Sequence, residues 1–182
     1  MTVRPSHRER NLRALAILNI RPEDDVLEVG CSPGVAIEHA AKLASGGKVV
    51  GIDHSALMLR QARRRNAKAI GAGRVELVLG SAERLPQFPA RFDKALAVNV
   101  YMFWDDPVTV LSGLRAVMKP GGKMALAVQP RKRGATNADA QDAGERMARS
   151  LRDAGFENVL IEILEMAPVN TACVHGRVAN AQ

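Results

Sequence analysis

The sequence predicts an α/β domain: a doubly wound, mostly parallel sheet whose last strand runs antiparallel. Three observations carry this expectation. Residues 25–29 form a short apolar run that turns sharply through Gly30-Cys31-Ser32-Pro33-Gly34 into a helical pattern. Buried strand, tight loop and amphipathic helix, in that order, open a βαβ unit. Apolar runs and helical patterns then alternate as far as Val128, which requires right-handed crossovers and a parallel sheet. Residues 158–166 and 171–178 are two further strands, split by Pro168 and Asn170, and so short a connection can only form a hairpin.

Element by element, Ser6 caps a first helix that runs to about residue 20, with Leu12, Leu15, Ala16 and Ile17 on its apolar side. Strands are expected at 25–29, 48–52, 74–79, 92–98 and 122–128, and helices at 34–44, 55–69 and 107–118. In the last of these helices Val110, Leu111, Leu114, Val117 and Met118 make one stripe. A fourth helix at 138–154 places Ala140, Ala143, Met147, Leu151 and Ala154 at core spacing and stops at Gly155. Residues 130–142, basic and glycine-containing, read as a loop. A chain of 182 residues is expected to form one domain over 1–182.

Composition excludes more than it assigns. A net charge of +7 and a pI near 10.0 invite a nucleic-acid partner. Yet Arg60, Arg63, Arg64, Arg65 and Lys68 share one predicted helix, where a basic run is usually a solvated face. Aromatics are 3% of the chain, too few for base-stacking platforms, so nucleic acid is disfavoured. Cys31 and Cys173 form neither a disulfide framework nor a metal-binding cluster, so no metal is expected. No apolar run approaches the ~20 residues of a membrane span, and no secretory signal opens the sequence. A cytoplasmic location is the expectation.

The strand–loop–helix unit, with Asp53 closing the second apolar run, points to a bound nucleoside. Read from Gly30, a dinucleotide loop would need glycine where Ser32 and Val35 stand. Pro33 instead fixes φ at the expected helix start. Glu28, at the end of the first strand, would repel a pyrophosphate but pair with a cation. The loop therefore favours a nucleoside with a positively charged tail.

Five segments in order then resemble one family. Residues 26–34 (Val-Leu-Glu-Val-Gly-Cys-Ser-Pro-Gly) are similar to motif I of the class I S-adenosylmethionine-dependent methyltransferases. Gly51-Ile52-Asp53-His54-Ser55 through Met58-Leu59, and Gly80-Ser81-Ala82-Glu83-Arg84-Leu85-Pro86, resemble the next two motifs. Residues 92–99 and 114–122 resemble the fourth strand and the Pro-Gly-Gly turn before the fifth. The resemblance implies a Rossmann-like sheet of order 3-2-1-4-5-7-6 and S-adenosyl-L-methionine as cofactor. It implies that Glu28, Gly30, Ser32, Gly34, Asp53, His54, Met58, Ser81, Ala82 and Asn99 surround that cofactor, with Tyr101 and Trp104 on the acceptor side. Ser81 stands where family members carry an aspartate that accepts from the adenine amino group, so Ser81→Asp would be expected to tighten binding.

Each position has a competing reading. Gly30 and Gly34 could serve only the turn, Asp53 could cap the helix after it, and Met58 could fill the core. Tyr101 to Trp104 could cap the sheet edge, and Arg131, Lys132 and Arg133 are read as a solvated loop. No catalytic base is named. No Asn/Asp-Pro-Pro-Tyr/Phe follows the fourth strand and no Pro-Cys nucleophile is present, which argues against base methylation. The expected function is methyl transfer to a small-molecule acceptor; the alternatives are an RNA methyltransferase and a non-catalytic S-adenosylmethionine-binding subunit.

Overall fold

The computed structural model describes residues 5–180, with side chains from Arg8 onwards. The strands are β1 (Val26–Val29), β2 (Val49–Asp53), β3 (Val75–Leu79), β4 (Phe92–Val98), β5 (Met118–Val128), β6 (Glu157–Leu164) and β7 (Thr171–Arg177). They form one sheet in the order β3-β2-β1-β4-β5-β7-β6. Pairs among β1 to β5 are parallel, and β7 lies antiparallel between β5 and β6. Both the order and the reversed last strand agree with what the motifs implied.

Helices α1 (Pro5–Leu18), α2 (Val35–Leu43), α3 (Ala56–Arg65), α4 (Ala67–Gly71), α5 (Pro107–Ala116) and α6 (Asn137–Asp153) cover the two faces. One core joins Leu15, Leu18, Ile37 and Leu59 of the helices to Val26, Leu96 and Ala127 of the sheet. The other joins Leu111, Leu114, Met147 and Leu151 to Leu27, Ala97 and Leu126. Neighbouring residues of one strand thus enter opposite cores, which is why the central strands read as continuous apolar runs. Chain order reverses between β1 and β4, and the crevice at their carboxyl ends is where open α/β sheets bind ligands.

Several expectations shift. The helix foreseen over 55–69 breaks at buried Asn66, whose amide donates to the carbonyls of Ala62 (2.9 Å) and Gly34 (3.2 Å). An asparagine side chain competes for helical carbonyls in this way. Strand β5 begins at Met118, not 122: Phe92 pairs with Met118 and Lys94 with Lys123, so Pro120-Gly121-Gly122 is a bulge inside the strand.

Pro33 precedes the N-cap Gly34 and so belongs to the turn, not to the first helical position. The sheet-facing side of α1 is Arg10, Asn11, Ala14, Leu15 and Leu18, while Ala16 is exposed and Leu12 and Ile17 are half-buried. A search for apolar periodicity does not register a buried arginine. α1 ends where Asn19 turns left-handed (φ 49°); Ser6 falls in its first turn, and its side chain lies outside the described residues. Among the described residues no helix is long and apolar enough to cross a membrane.

Candidate functional site

The crevice is built first by the loop between β1 and α2. Gly30 and Cys31 both donate their N–H groups to the Ile52 carbonyl (2.8 and 3.0 Å), and Gly34 N–H closes the turn onto Cys31 (2.9 Å). Gly30, Ser32 and Gly34 all adopt positive φ (70°, 50° and 76°). A Cβ on Gly30 would meet Val100 Cγ1 at 2.2 Å, and one on Gly34 would meet Asn66 Nδ2 at 2.6 Å. Packing alone therefore demands both glycines, whatever else they touch. Ser32 tolerates the left-handed region at a modest cost in strain.

Asp53 ties this loop to the next element. It is 5% exposed; Oδ2 accepts from Ser32 N–H (2.7 Å) and Oδ1 from Ser55 N–H (2.8 Å). The cap of α3 is Ser55, whose hydroxyl accepts from Met58 N–H at 3.4 Å, so Asp53 is not the helix cap. Each carboxylate oxygen keeps a second lone pair for a ligand hydroxyl. His54 is exposed and Met58 is half-buried.

Glu28 carries the site's electrostatics. It is 4% exposed at the carboxyl end of β1, and its Oε2 is buried without a hydrogen-bond partner among the described residues. Burial pushes its pKa well above the usual carboxylate range; an N–H bond from Ile37 opposes that shift and the Asp53 charge adds to it. Burial likewise raises the Cys31 thiol, with Glu28 and Asp53 adding to it, so Cys31 is a protonated, inert neighbour. A buried acid with an open oxygen is suited to an ammonium or a sulfonium and hostile to a phosphate. The residues present thus fit S-adenosylmethionine, whose tail carries both cations.

In the loop after β3, Ser81 donates its hydroxyl to Glu83 Oε2 at 2.6 Å. That bond holds the Glu83 carboxyl below its usual range. A carboxylate two residues further on therefore lies against position 81. Ala82 is buried between them. Ser81→Asp would bring a second carboxylate against Glu83, so the expected result changes: Ser81→Asp alone should not tighten cofactor binding, and Ser81→Asp with Glu83→Gln should. Calorimetry on the double-mutant cycle checks this; tighter binding by the single variant would show that Glu83 plays no part.

At the end of β4, Asn99 is left-handed (φ 54°), its Oδ1 accepts from Gln129 N–H (2.8 Å), and its Nδ2 is buried without a partner among the described residues. The short 3₁₀ turn Tyr101–Phe103 follows. Trp104 is 8% exposed within the core that contains Leu111 and Met147, and Tyr101 packs edge-on against it (centroids 5.7 Å, 64°) and bonds to Ser150 Oγ (2.9 Å). The solvent-facing members of the cluster are instead Met102 (44%) and Phe103 (74%). Sequence alternation gave no sign of which aromatic would turn outward, because a 3₁₀ turn has neither helical nor strand period. Arg131, Lys132 and Arg133 are exposed, and Lys132 pairs with Asp139 at 2.5 Å.

Known proteins resemble this chain in sequence and in fold. The methyltransferase domain family matches residues 26–122. The chain is 34% identical over 160 residues to the uncharacterized methyltransferase YdaC of Bacillus subtilis, covering 88% of this chain and 86% of that protein. It is 37% identical over 116 residues to a demethylmenaquinone methyltransferase of Symbiobacterium thermophilum, covering 60% of this chain and 44% of that one. In fold it matches a SAM-dependent methyltransferase from Aquifex aeolicus with a TM-score of 0.76 at 21% identity, over 97% of this chain and 94% of that one.

Proposed function

Because the chain belongs to the class I S-adenosyl-L-methionine-dependent methyltransferases, we propose that it transfers the methyl group to a small-molecule acceptor by in-line displacement, with residues 1–182 acting as one domain. The observation that carries the reading is the open, buried Oε2 of Glu28 beside a loop held by Asp53. Glu28 receives the cationic tail, Asp53 receives the ribose hydroxyls, and Ser81 with Glu83 and Ala82 holds the adenine edge. Gly30, Ser32 and Gly34 shape the floor, His54 and Met58 flank the ring, and Asn99 borders the methionine moiety. When bound, the cofactor supplies a methyl group already activated as a sulfonium. The protein's own task is to align the acceptor and exclude water, and orientation of this kind is worth roughly 7–11 kcal/mol.

A small-molecule acceptor is favoured over RNA by the surface. Met102 and Phe103 offer an apolar approach next to the crevice, and Arg60, Arg63, Arg64 and Lys68 are exposed on α3 and α4, helices that lead away from β4. Demethylmenaquinone methyltransferase, the relative from Symbiobacterium, is named for a small-molecule acceptor. The reading is tested by melting the protein with S-adenosyl-L-homocysteine and with NAD. A ligand at about 100 times its Kd adds ~2.7 kcal/mol, so the first should raise Tm and the second should not. A shift with NAD alone would overturn the reading.

A further inference from the structure

α3 and α4 carry Arg60, Arg63, Arg64, Arg65 and Lys68 and no acidic residue. Basic residues on α1, α2 and α6 are accompanied by acids. Glu9 pairs with Arg13 on α1 (3.1 Å), and Glu38 with Lys42 on α2 (2.9 Å). On α6, exposed Arg146, Arg149 and Arg152 alternate with exposed Asp142, Glu145 and Asp153. Interleaved signs of that kind mark a face that is merely solvated.

The bases of α3 and α4 divide into two sets. Arg63 Nη2 donates to the Leu77 carbonyl (3.3 Å), and Arg65 donates to the Pro33 carbonyl (3.0 Å) and to Glu38 (3.4 Å). These two fasten the helix to β3 and to the glycine loop. Arg60, Arg64 and Lys68 are exposed, and no carboxylate pairs with them among the described residues. Arg60 and Arg64 stand four residues apart, a like-charge spacing that destabilises a helix. The macrodipole favours bases in the last turn, Arg63 to Arg65, but not Arg60 or Lys68.

Large apolar side chains extend the same row. Leu57, 51% exposed, lies three residues before Arg60 on the side of α3 away from buried Leu59 and Ala62. Leu79, 61% exposed, ends the edge strand β3 and is the register partner of Asp53, two residues before the cap of α3. The row therefore starts beside the carboxyl ends of β2 and β3, next to the crevice.

We propose that this face docks the protein on an anionic membrane surface, with Arg60, Arg64 and Lys68 against the lipid headgroups and Leu57 and Leu79 dipping between them. A basic cluster on a helix attracts anionic lipid, and each exposed leucine adds apolar area to bury. RNA has the same sign of charge, but residues 56–79 contain no aromatic side chain on which a base could stack. Exposed leucines within the row suit acyl chains instead.

The test is cosedimentation of the full chain with vesicles of phosphatidylglycerol and phosphatidylcholine, and with phosphatidylcholine alone. The wild type should bind the first, leave it as salt rises, and ignore the second. A basic residue near an anionic surface contributes about fivefold in partition, so Arg60→Gln with Arg64→Gln and Lys68→Gln should lose about a hundredfold. Arg146→Gln with Arg149→Gln and Arg152→Gln removes the same charge from the other face of the sheet and should lose far less. Leu57→Ser with Leu79→Ser should weaken binding several-fold. All these positions are exposed, so the variants should melt like the wild type. Equal losses in the two triple variants, unchanged binding by the leucine variant, or a wild type that ignores anionic vesicles would each overturn the proposal. In the last case, steeply salt-dependent binding to single-stranded RNA that the α3–α4 triple variant loses would assign the row to nucleic acid. Vesicle binding needs neither cofactor nor methyl transfer, so its failure leaves the methyltransferase reading standing.

Discussion

Glu28→Gln is expected to make the protein more stable on its own and a poorer binder of its cofactor. The carboxyl is raised chiefly because burial penalises its charged form, and glutamine keeps the shape without the charge. The sign follows from linkage. Above the ordinary carboxyl value of 4.5 the unfolded chain releases this proton while the folded chain retains it. The folded state then binds more protons, so stability falls with rising pH. The contribution of Glu28 is fully present below that value and is lost as pH rises through the raised one. Glu28→Gln should remove this slope, and each kcal/mol recovered at pH 8 should raise Tm by roughly 2–4 °C.

Binding should move the other way. Hydrogen bonds to charged groups contribute roughly 1.5–3 kcal/mol, so affinity should fall about ten- to a hundredfold. Loss for both S-adenosylmethionine and S-adenosylhomocysteine would assign Glu28 to the ammonium, and loss for S-adenosylmethionine alone to the sulfonium. A Glu28→Gln variant that melts lower at pH 8 and binds both ligands unchanged would leave Glu28 with only its bond to Ile37.

Glu28 also shows what could be read in advance. An acid closing a buried strand is conspicuous in a sequence, and so are the glycines and Asp53, because each breaks an apolar pattern at a strand end. The sheet order was legible through the family resemblance that five ordered motifs carry, not through periodicity itself. What stayed hidden were partnerships between distant residues. Asp53 spends its first lone pairs on Ser32 and Ser55 N–H groups. Arg10 was invisible because a buried arginine looks like a surface one until its helix is docked. Asn66 and the bulge at Pro120 to Gly122 moved boundaries through side-chain and backbone competition that local periodicity does not encode.

The aromatic turn after β4 separates packing from acceptor contact. Trp104→Ala should cost about 3–5 kcal/mol, the usual range for deleting a large buried aromatic, and lower Tm on the order of 10 °C. The indole stands in the core with Leu111 and Met147, so its removal leaves a cavity and takes away the edge-on partner of Tyr101. Phe103→Ala should leave Tm almost unchanged, because a 74% exposed ring makes few contacts to lose. Its effect should fall on transfer: S-adenosylhomocysteine affinity unchanged, and incorporation of labelled methyl from S-adenosylmethionine into a small-metabolite extract reduced. Trp104→Ala that melts like the wild type but transfers poorly would return the indole to the acceptor wall. Phe103→Ala that transfers normally would mean the acceptor reaches the methyl group from another side of the crevice.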